Sequence, residues 1–218
     1  ENSSRYKDAA VDGILKILSQ TNGHLEAVRM GTTVATNALL ERRGADTALV
    51  ITKGFGDALR IGYQNRPDIF ALNIELPQML YAQVIETQER TSAQGDIIEP
   101  LDKLSLRRHL EEAYKNKIKS VAIVFMHGYR FPIHERVAQK IAEEVGFEQI
   151  SVSHSTSPLM KLISRGDTTL TDAYLSPILK NYVDQVQYGL AQSLGNTPIL
   201  FMQSHGGLTS AESFRGKD

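Results

Sequence analysis

The 218-residue sequence contains no cysteine. That single absence removes disulfides, thiolate metal sites and a cysteine nucleophile together. It is compatible with a reducing compartment. No run of about 18 apolar residues occurs, so no segment reads as a membrane-spanning helix, and no secretory signal pattern opens the chain. Neither sign of charge dominates: 24 Lys and Arg face 25 Asp and Glu, for a net charge of −1. A dedicated nucleic-acid or anionic-membrane binder normally needs a basic field, and this chain has none overall. Internal repeats and low-complexity tracts are also missing. What remains, at 41% hydrophobic and 22% charged residues, is the composition of an ordinary globular protein with room for one or two domains. Residue 1 is Glu rather than Met, and the expectation is that a longer gene product supplies further residues.

The pattern of apolar residues predicts the elements. Ala10, Ile14 and Leu18 recur at helical spacing, with Gly23 as a stop. Residues 32–40 read as a second helix, closed by Glu41-Arg42-Arg43-Gly44. Thr47 to Thr52 is a short β-branched run, the signature of a buried strand. Asp57 opens a short helix through Ile61, and residues 62–82, with Pro67 and Pro77, read as an irregular excursion. Val84 to Thr91 reads as a strand. After the turn at Gln94-Gly95-Asp96, Ile97-Ile98 begins a return strand, forming a hairpin.

From Pro100 the pattern becomes regular. Helix 101–114, strand 120–126, helix 133–145 and strand 149–154 follow one another. Helix 167–194 comes next, with a kink or restart expected at Ser176-Pro177, then strand 198–203. Such alternation implies a mostly parallel α/β sheet with right-handed crossovers. Domain boundaries are expected near residues 92–100 or 160–176.

Four groups of residues stand out chemically, and each has a functional and a structural reading. Gly31 precedes a helix start, and Thr33, Thr36 and Asn37 share one stripe. They form either an anion pocket, with Thr32 beside them, or an ordinary cap and a solvated face. His127 ends an apolar strand, where parallel α/β folds place ligands, and His134-Glu135 begins the next helix. These three are a metal or acid–base group, or else a loop histidine and a first-turn carboxylate. Ser164 to Thr169 brings Arg165 near a helix start, where it binds an anion or where Asp167 or Thr168 merely caps the helix. Ser204-His205-Gly206-Gly207 lets backbone approach a ligand, or is a tight exit turn. The nucleophile elbow and the two best-known glycine-rich phosphate loops are not found.

In their order these segments resemble the ATP-dependent hydantoinase A / 5-oxoprolinase family. The resemblance rests on GTTVATNALLERRG at 31–44, TKGFGDALRIGYQNRP at 52–67 and Glu89-Arg90 followed by Gly95. It also rests on His127…His134-Glu135, SRGDTTLTDAYLSP at 164–177 and QSHGG at 203–207. His205 stands where the family commonly has Asn.

The resemblance implies an α/β, actin-like/Hsp70-like fold of the acetate and sugar kinase superfamily. Its mostly parallel sheet is flanked by helices, with a β-hairpin excursion. Residues 1–165 would be most of a first lobe, without its first phosphate loop. Residues 166–218 would be the crossover helix and the start of a second lobe. The implied activity is ATP-dependent opening of a cyclic amide such as 5-oxoproline or a hydantoin. Phosphorylation of the amide oxygen would make a poor electrophile reactive, with Mg²⁺ helping to stabilise charge. The family's two Gly-rich phosphate segments do not occur in these 218 residues, so they are expected not to hydrolyse ATP by themselves.

Candidate substrate- or phosphate-binding residues are Thr32, Thr33, Asn37, Arg66, Arg165, Ser204, Gly206 and Gly207. Metal candidates are His127, His134 and Glu135. A companion hydantoinase B-type subunit or domain, a cytoplasmic location and a small cyclic amide as substrate follow from the same resemblance, with homo-oligomerisation left open. The alternatives are a subunit of an ATP-dependent ketone carboxylase, or a binding and assembly module without chemistry.

Overall fold

Asp8 begins the first described element. Its carboxylate accepts hydrogen bonds from the amides of Ala10 and Val11 at 2.9 and 3.0 Å, which satisfies two of the donors a helix start leaves open. In this computed structural model residues 8–20, 25–64, 70, 72–73, 76, 78–195 and 197–218 are described. In chain order the first elements are α1 (Ala9–Gln20), β1 (Val28–Met30), α2 (Val34–Leu40), β2 (Thr47–Thr52), α3 (Ala58–Ile61) and β3 (Gln83–Thr87). The hairpin strands β4 (Arg90–Thr91) and β5 (Ile97–Glu99) follow, then α4 (Lys103–Lys115), β6 (Ser120–Val124) and α5 (Ile133–Val145). The last are β7 (Gln149–Val152), α6 (Ser153–Thr156), α7 (Leu162–Leu194), β8 (Ile199–Met202) and β9 (Leu208–Ser210).

The chain divides into two units. One comprises residues 42–177 with Lys217, and the other residues 1–41 with 178–216 and Asp218. The sequence-based division at 165/166 falls inside α7; the units change instead at Pro177, within that helix. The N-terminal segment belongs with the C-terminal one because β1 pairs with β8, a pairing no local pattern announces.

In the larger unit β3, β2, β6 and β7 form one fully parallel sheet, in that order. Side chains alternate across it with the two-residue period of a strand. Ala48, Val50, Val121 and Ile123 enter a core with Leu106 and Leu110 of α4 and Ala138 and Ile141 of α5. Leu49, Ile51, Ala122 and Val124 enter a second core with Leu59, Leu170 and Ala173. Both faces are therefore buried, which is why these strands read as continuous apolar runs. Each fully buried Leu or Ile contributes about 1.5–3 kcal/mol. Asp102 caps α4 by accepting from the Ser105 amide at 3.0 Å.

The expected strand 84–91 is in fact two. β3 ends at Thr87, and β4 starts at Arg90 in an antiparallel hairpin with β5. Between them Glu89 turns inward and is 1% exposed, so the break serves to bury a carboxylate. The expected helix start at Asp167 is also displaced, since α7 begins at Leu162. Neither Asp167 nor Thr168 is a cap.

In the smaller unit β1, β8 and β9 form a sheet, β1 parallel and β9 antiparallel to β8. Its core joins Val28, Met30 and Phe201 to Leu179, Val183, Val186 and Leu190 of α7. Phe214 stacks on Phe201 with ring centres 5.0 Å apart. The described part of 62–82 carries no helix or strand, and no described helix is long and apolar enough to cross a membrane.

Candidate functional site

In the smaller unit the register Met30↔Phe201 sets the carboxyl ends of β1 and β8 side by side. Gly31 to Thr33 leaves one strand and Gln203 to Gly207 leaves the other. The Cβ that Gly31 lacks would lie 4.0 Å from the Met202 methyl group. This is the edge at which parallel α/β sheets hold ligands.

Thr32 and Thr33 divide the work at the start of α2. The Thr32 hydroxyl accepts from the Val34 amide at 3.2 Å. Thr33 occupies the N-cap position, yet its side chain makes no capping bond. It is exposed, as are Thr36 and Asn37, and Asn37 Nδ2 lies 3.5 Å from Thr33 Oγ1. Thr32 also meets the hydroxyl of Tyr182. Burial pushes that phenol up from its ordinary value and Asp8 adds to the rise, while the Thr32 hydrogen bond opposes it.

On the β8 side the expected exit turn is the tip of a hairpin. Gln203 N donates to Gly207 O at 2.8 Å, and Gly206 N donates to Gln203 O at 2.9 Å. Gly206 has φ +87, a left-handed conformation that glycine takes without steric cost. Ser204 is exposed, and its amide donates to Asp218 O at 2.5 Å. The expected Thr32, Thr33, Asn37 and Ser204, Gly206, Gly207 therefore belong to one sheet edge. Arg66 lies outside the described residues.

His127, His134, Glu135 and Arg165 belong to the larger unit. They sit near the carboxyl ends of its parallel strands, and His134, Glu135 and Arg165 belong to a buried polar network. Glu135, fully buried, is held by four donors. Phe125 N and the Ser153 hydroxyl reach Oε1 at 2.9 and 2.5 Å. The amide and Nδ1 of His154 reach Oε2 at 2.9 and 2.8 Å. A carboxylate only accepts, so His154 carries its proton on Nδ1. Gly128 passes so close that a Cβ there would lie 2.4 Å from Glu135 Oε1.

His134 faces elsewhere. Its Nδ1 lies 2.7 Å from Glu89 Oε2. The other Glu89 oxygen accepts from the Thr52 hydroxyl, which in turn accepts from the Met126 amide at 2.9 Å. Adjacent residues on a helix point about 100° apart, so His134 and Glu135 serve different partners. His127 is half-buried in a left-handed turn at φ 59, its carbonyl accepting from the amides of Arg130 and Phe131. Among the described residues no group of three His, Cys, Asp or Glu is placed to hold a metal.

Arg165 has become a brace. It is fully buried, and it donates to Phe125 O at 2.7 Å, Leu159 O at 2.7 Å, Met160 O at 3.1 Å and Ser153 Oγ at 2.9 Å. Its guanidinium lies 5.5 Å from the Tyr129 ring centre. Burial pulls its pKa below the ordinary value, with Glu135 and Tyr129 acting in the opposite direction. Four of its five N–H donors are thus engaged within the protein.

Thr52, Glu89, Ser153 and His154 were not among the residues singled out as site candidates, though Thr52 and Glu89 lie in the quoted motifs. The signal for His154 was present: like His127, it follows an apolar strand at its carboxyl end.

Comparison with known proteins gives the following. The profile of the hydantoinase/oxoprolinase N-terminal region matches residues 2–146, and that of hydantoinase/oxoprolinase matches residues 165–218. A 5-oxoprolinase of Dictyostelium discoideum is 38% identical over 247 residues, covering 97% of this chain and 20% of that protein. The chain thus spans about a fifth of the length of such curated relatives. The crystal structure of an ATP-dependent caprolactamase from Pseudomonas jessenii superposes with a TM-score of 0.81 at 24% identity, over 98% of this chain and 33% of that one. A nucleotide-free acetone carboxylase superposes with a TM-score of 0.77 at 20% identity, over 94% of this chain and 31% of that one. These two likenesses bear out the actin-like α/β class expected from the sequence.

Proposed function

The chain belongs to the hydantoinase/oxoprolinase family, and from that premise we propose that it forms part of an ATP-dependent hydrolase opening cyclic amides of the hydantoin or 5-oxoproline type. The observation that carries this reading is the 38% identity to a 5-oxoprolinase along nearly the whole chain.

The residues fit such a role. At the carboxyl edge of β1 and β8, exposed hydroxyls of Thr33 and Ser204 and the Asn37 amide offer neutral donors. Donors of this kind suit phosphate oxygens. ATP, when bound, supplies the phosphoryl group that activates an unreactive amide. Thr33, Asn37 and Ser204 would orient phosphate, and Gly206 and Gly207 would let the backbone come near it. Mg²⁺ is the cation expected with ATP, with phosphate and water among its ligands. Arg165, buried and bonded to its own chain through four donors, is left out of this set, and so are His134 and Glu135. A B-type companion subunit and a cytoplasmic location, where ATP is plentiful, complete the reading.

The test uses the intact protein together with its companion subunit. Supplied with 5-oxoproline or a hydantoin, ATP and Mg²⁺, it should form ADP and ring-opened product in step. Ring opening without ATP, or none at all with either amide, would overturn the reading. ATP turnover that needs bicarbonate and a ketone would replace it by the carboxylase alternative.

A further inference from the structure

A groove of about 950 Å³ runs along α4, α5 and the loop before α5, wholly within the larger unit. Its floor is apolar, formed by Phe131, Pro132, Val137 and Ile141. Two aliphatic side chains on its walls stand in water: Leu104 is 84% exposed and Ile133 54%. Leu104 and Ile133 each line the groove from an amphipathic helix whose other face is buried. Large aliphatics grouped this way, inside a polar rim, mark an interaction surface rather than scattered surface residues.

The rim has one sign. Lys103, Arg107, Arg130, Arg136 and Lys140 line it against a single carboxylate, Glu144. Glu144 is bonded to Arg107. The other four cations make no ion pair among the described residues, and Arg130 lies over the Phe131 ring at 5.3 Å. Lys103 and Arg107 are spaced i,i+4 on α4, and so are Arg136 and Lys140 on α5. Like charges at this spacing destabilise a helix slightly. Both helices carry that cost at the same place, in a chain whose net charge is −1. A partner with acidic groups would relieve it.

We propose that this groove is a docking site for an acidic amphipathic segment of a partner protein. Leu- or Ile-type side chains of the segment would fill the apolar floor, and flanking Asp or Glu would meet the rim. This is helix-in-groove recognition, in which the apolar face gives affinity and the charges select the partner. The inference stands on the groove alone, whatever reaction the protein performs.

A fluorescein-labelled synthetic peptide of about 16 residues, roughly four helical turns, with Leu at i, i+3, i+4, i+7 spacing and Glu elsewhere, is titrated against the intact protein. Fluorescence anisotropy should show saturable binding. The same peptide with every Glu replaced by Lys should bind about tenfold more weakly or worse, as should one with every Leu replaced by Ser. Raising salt from about 0.05 to about 0.5 M should weaken the Glu peptide and narrow its advantage over the Lys peptide, since exposed charges are screened. On the protein, Leu104→Ser and the pair Arg136→Gln with Lys140→Gln should each reduce affinity about tenfold. All three residues are solvent-exposed, so circular dichroism should be unchanged and melting no lower than the parent's. Equal binding of the three peptides, or variants that bind like the parent, would overturn the proposal. So would a dimer in sedimentation that Leu104→Ser abolishes, which gives the groove to a second copy, or saturable binding of dodecanoate without binding of the peptide.

Discussion

Glu89 and His134 are forty-five residues apart in sequence, yet the His134 Nδ1 lies 2.7 Å from a Glu89 oxygen with both side chains buried. The other Glu89 oxygen is joined to Thr52 at the end of β2. One carboxylate thus ties the end of β2 to the first turn of α5. Removing it leaves His134 and Thr52 without an acceptor in a place water reaches poorly. Glu89→Ala should destabilise the protein by about 3–5 kcal/mol. Glu89→Gln, which keeps an acceptor for Thr52, should cost less. The urea midpoint at unchanged slope is the measurement.

Arg165 makes the second prediction. Arg165→Ala frees three backbone carbonyls and the Ser153 hydroxyl, leaving Glu135 without its neighbouring cation. A loss of about 3–5 kcal/mol is expected. Arg165→Lys should recover little of it, because an ammonium cannot reach the same forked set of acceptors. A ligand-binding arginine would behave oppositely, with stability kept and turnover lost. Melting and steady-state kinetics on the same preparation distinguish the two.

The third concerns pH. Asp167 stays largely at the surface, but partial desolvation raises its pKa above the ordinary 3.8. The folded state then binds the proton more tightly than the unfolded state. Stability from this group is complete below 3.8 and is lost as pH rises through the folded value. Asp167→Asn should therefore melt slightly higher than the parent near neutrality, with the difference closing at acid pH. Parallel melts across that range give the sign.

The fourth addresses the β1–β8 edge. Thr33→Ala, Asn37→Ala and Ser204→Ala change exposed side chains and should leave melting within about 0.5 kcal/mol of the parent. In the intact enzyme each should lower ATP-dependent kcat/KM, by about tenfold for one lost hydrogen bond to a charged group. Unchanged kinetics in all three would remove this edge from the site.

How much of this was legible beforehand differs by kind of interaction. β2 and β6 were plain because both their faces are buried, so every residue except Ser120 is apolar or β-branched. α4 and α5 were plain because their buried residues recur at helical spacing. The pairing of β1 with β8 was not, since a three-residue strand has almost no pattern and its partner lies far along the chain. Glu89 was noticed only as part of a family likeness. Its burial depends on Thr52 and His134 arriving from distant elements, and nothing beside Glu89 in sequence signals that. Arg165 was singled out for the right reason, an unusual cation near a helix start. Three of its four partners turn out to be carbonyl groups of its own chain, which leave no trace in residue identity.

The β1–β8 pairing also sets a timetable. Met30 and Phe201 are opposite one another but 171 positions apart. Among the described residues β1 has no other strand beside it. At about 5–20 residues per second on the ribosome, roughly 10–30 s pass between synthesis of the one and of the other. Residues 42–177 are complete within that interval and hold their own sheet and cores. The larger unit can therefore be assembled while β1 is still waiting, its strand edge bare and its apolar residues uncovered. A nascent chain halted before residue 199 would carry that bare edge indefinitely, which makes β1 the segment on which a chaperone has the longest claim.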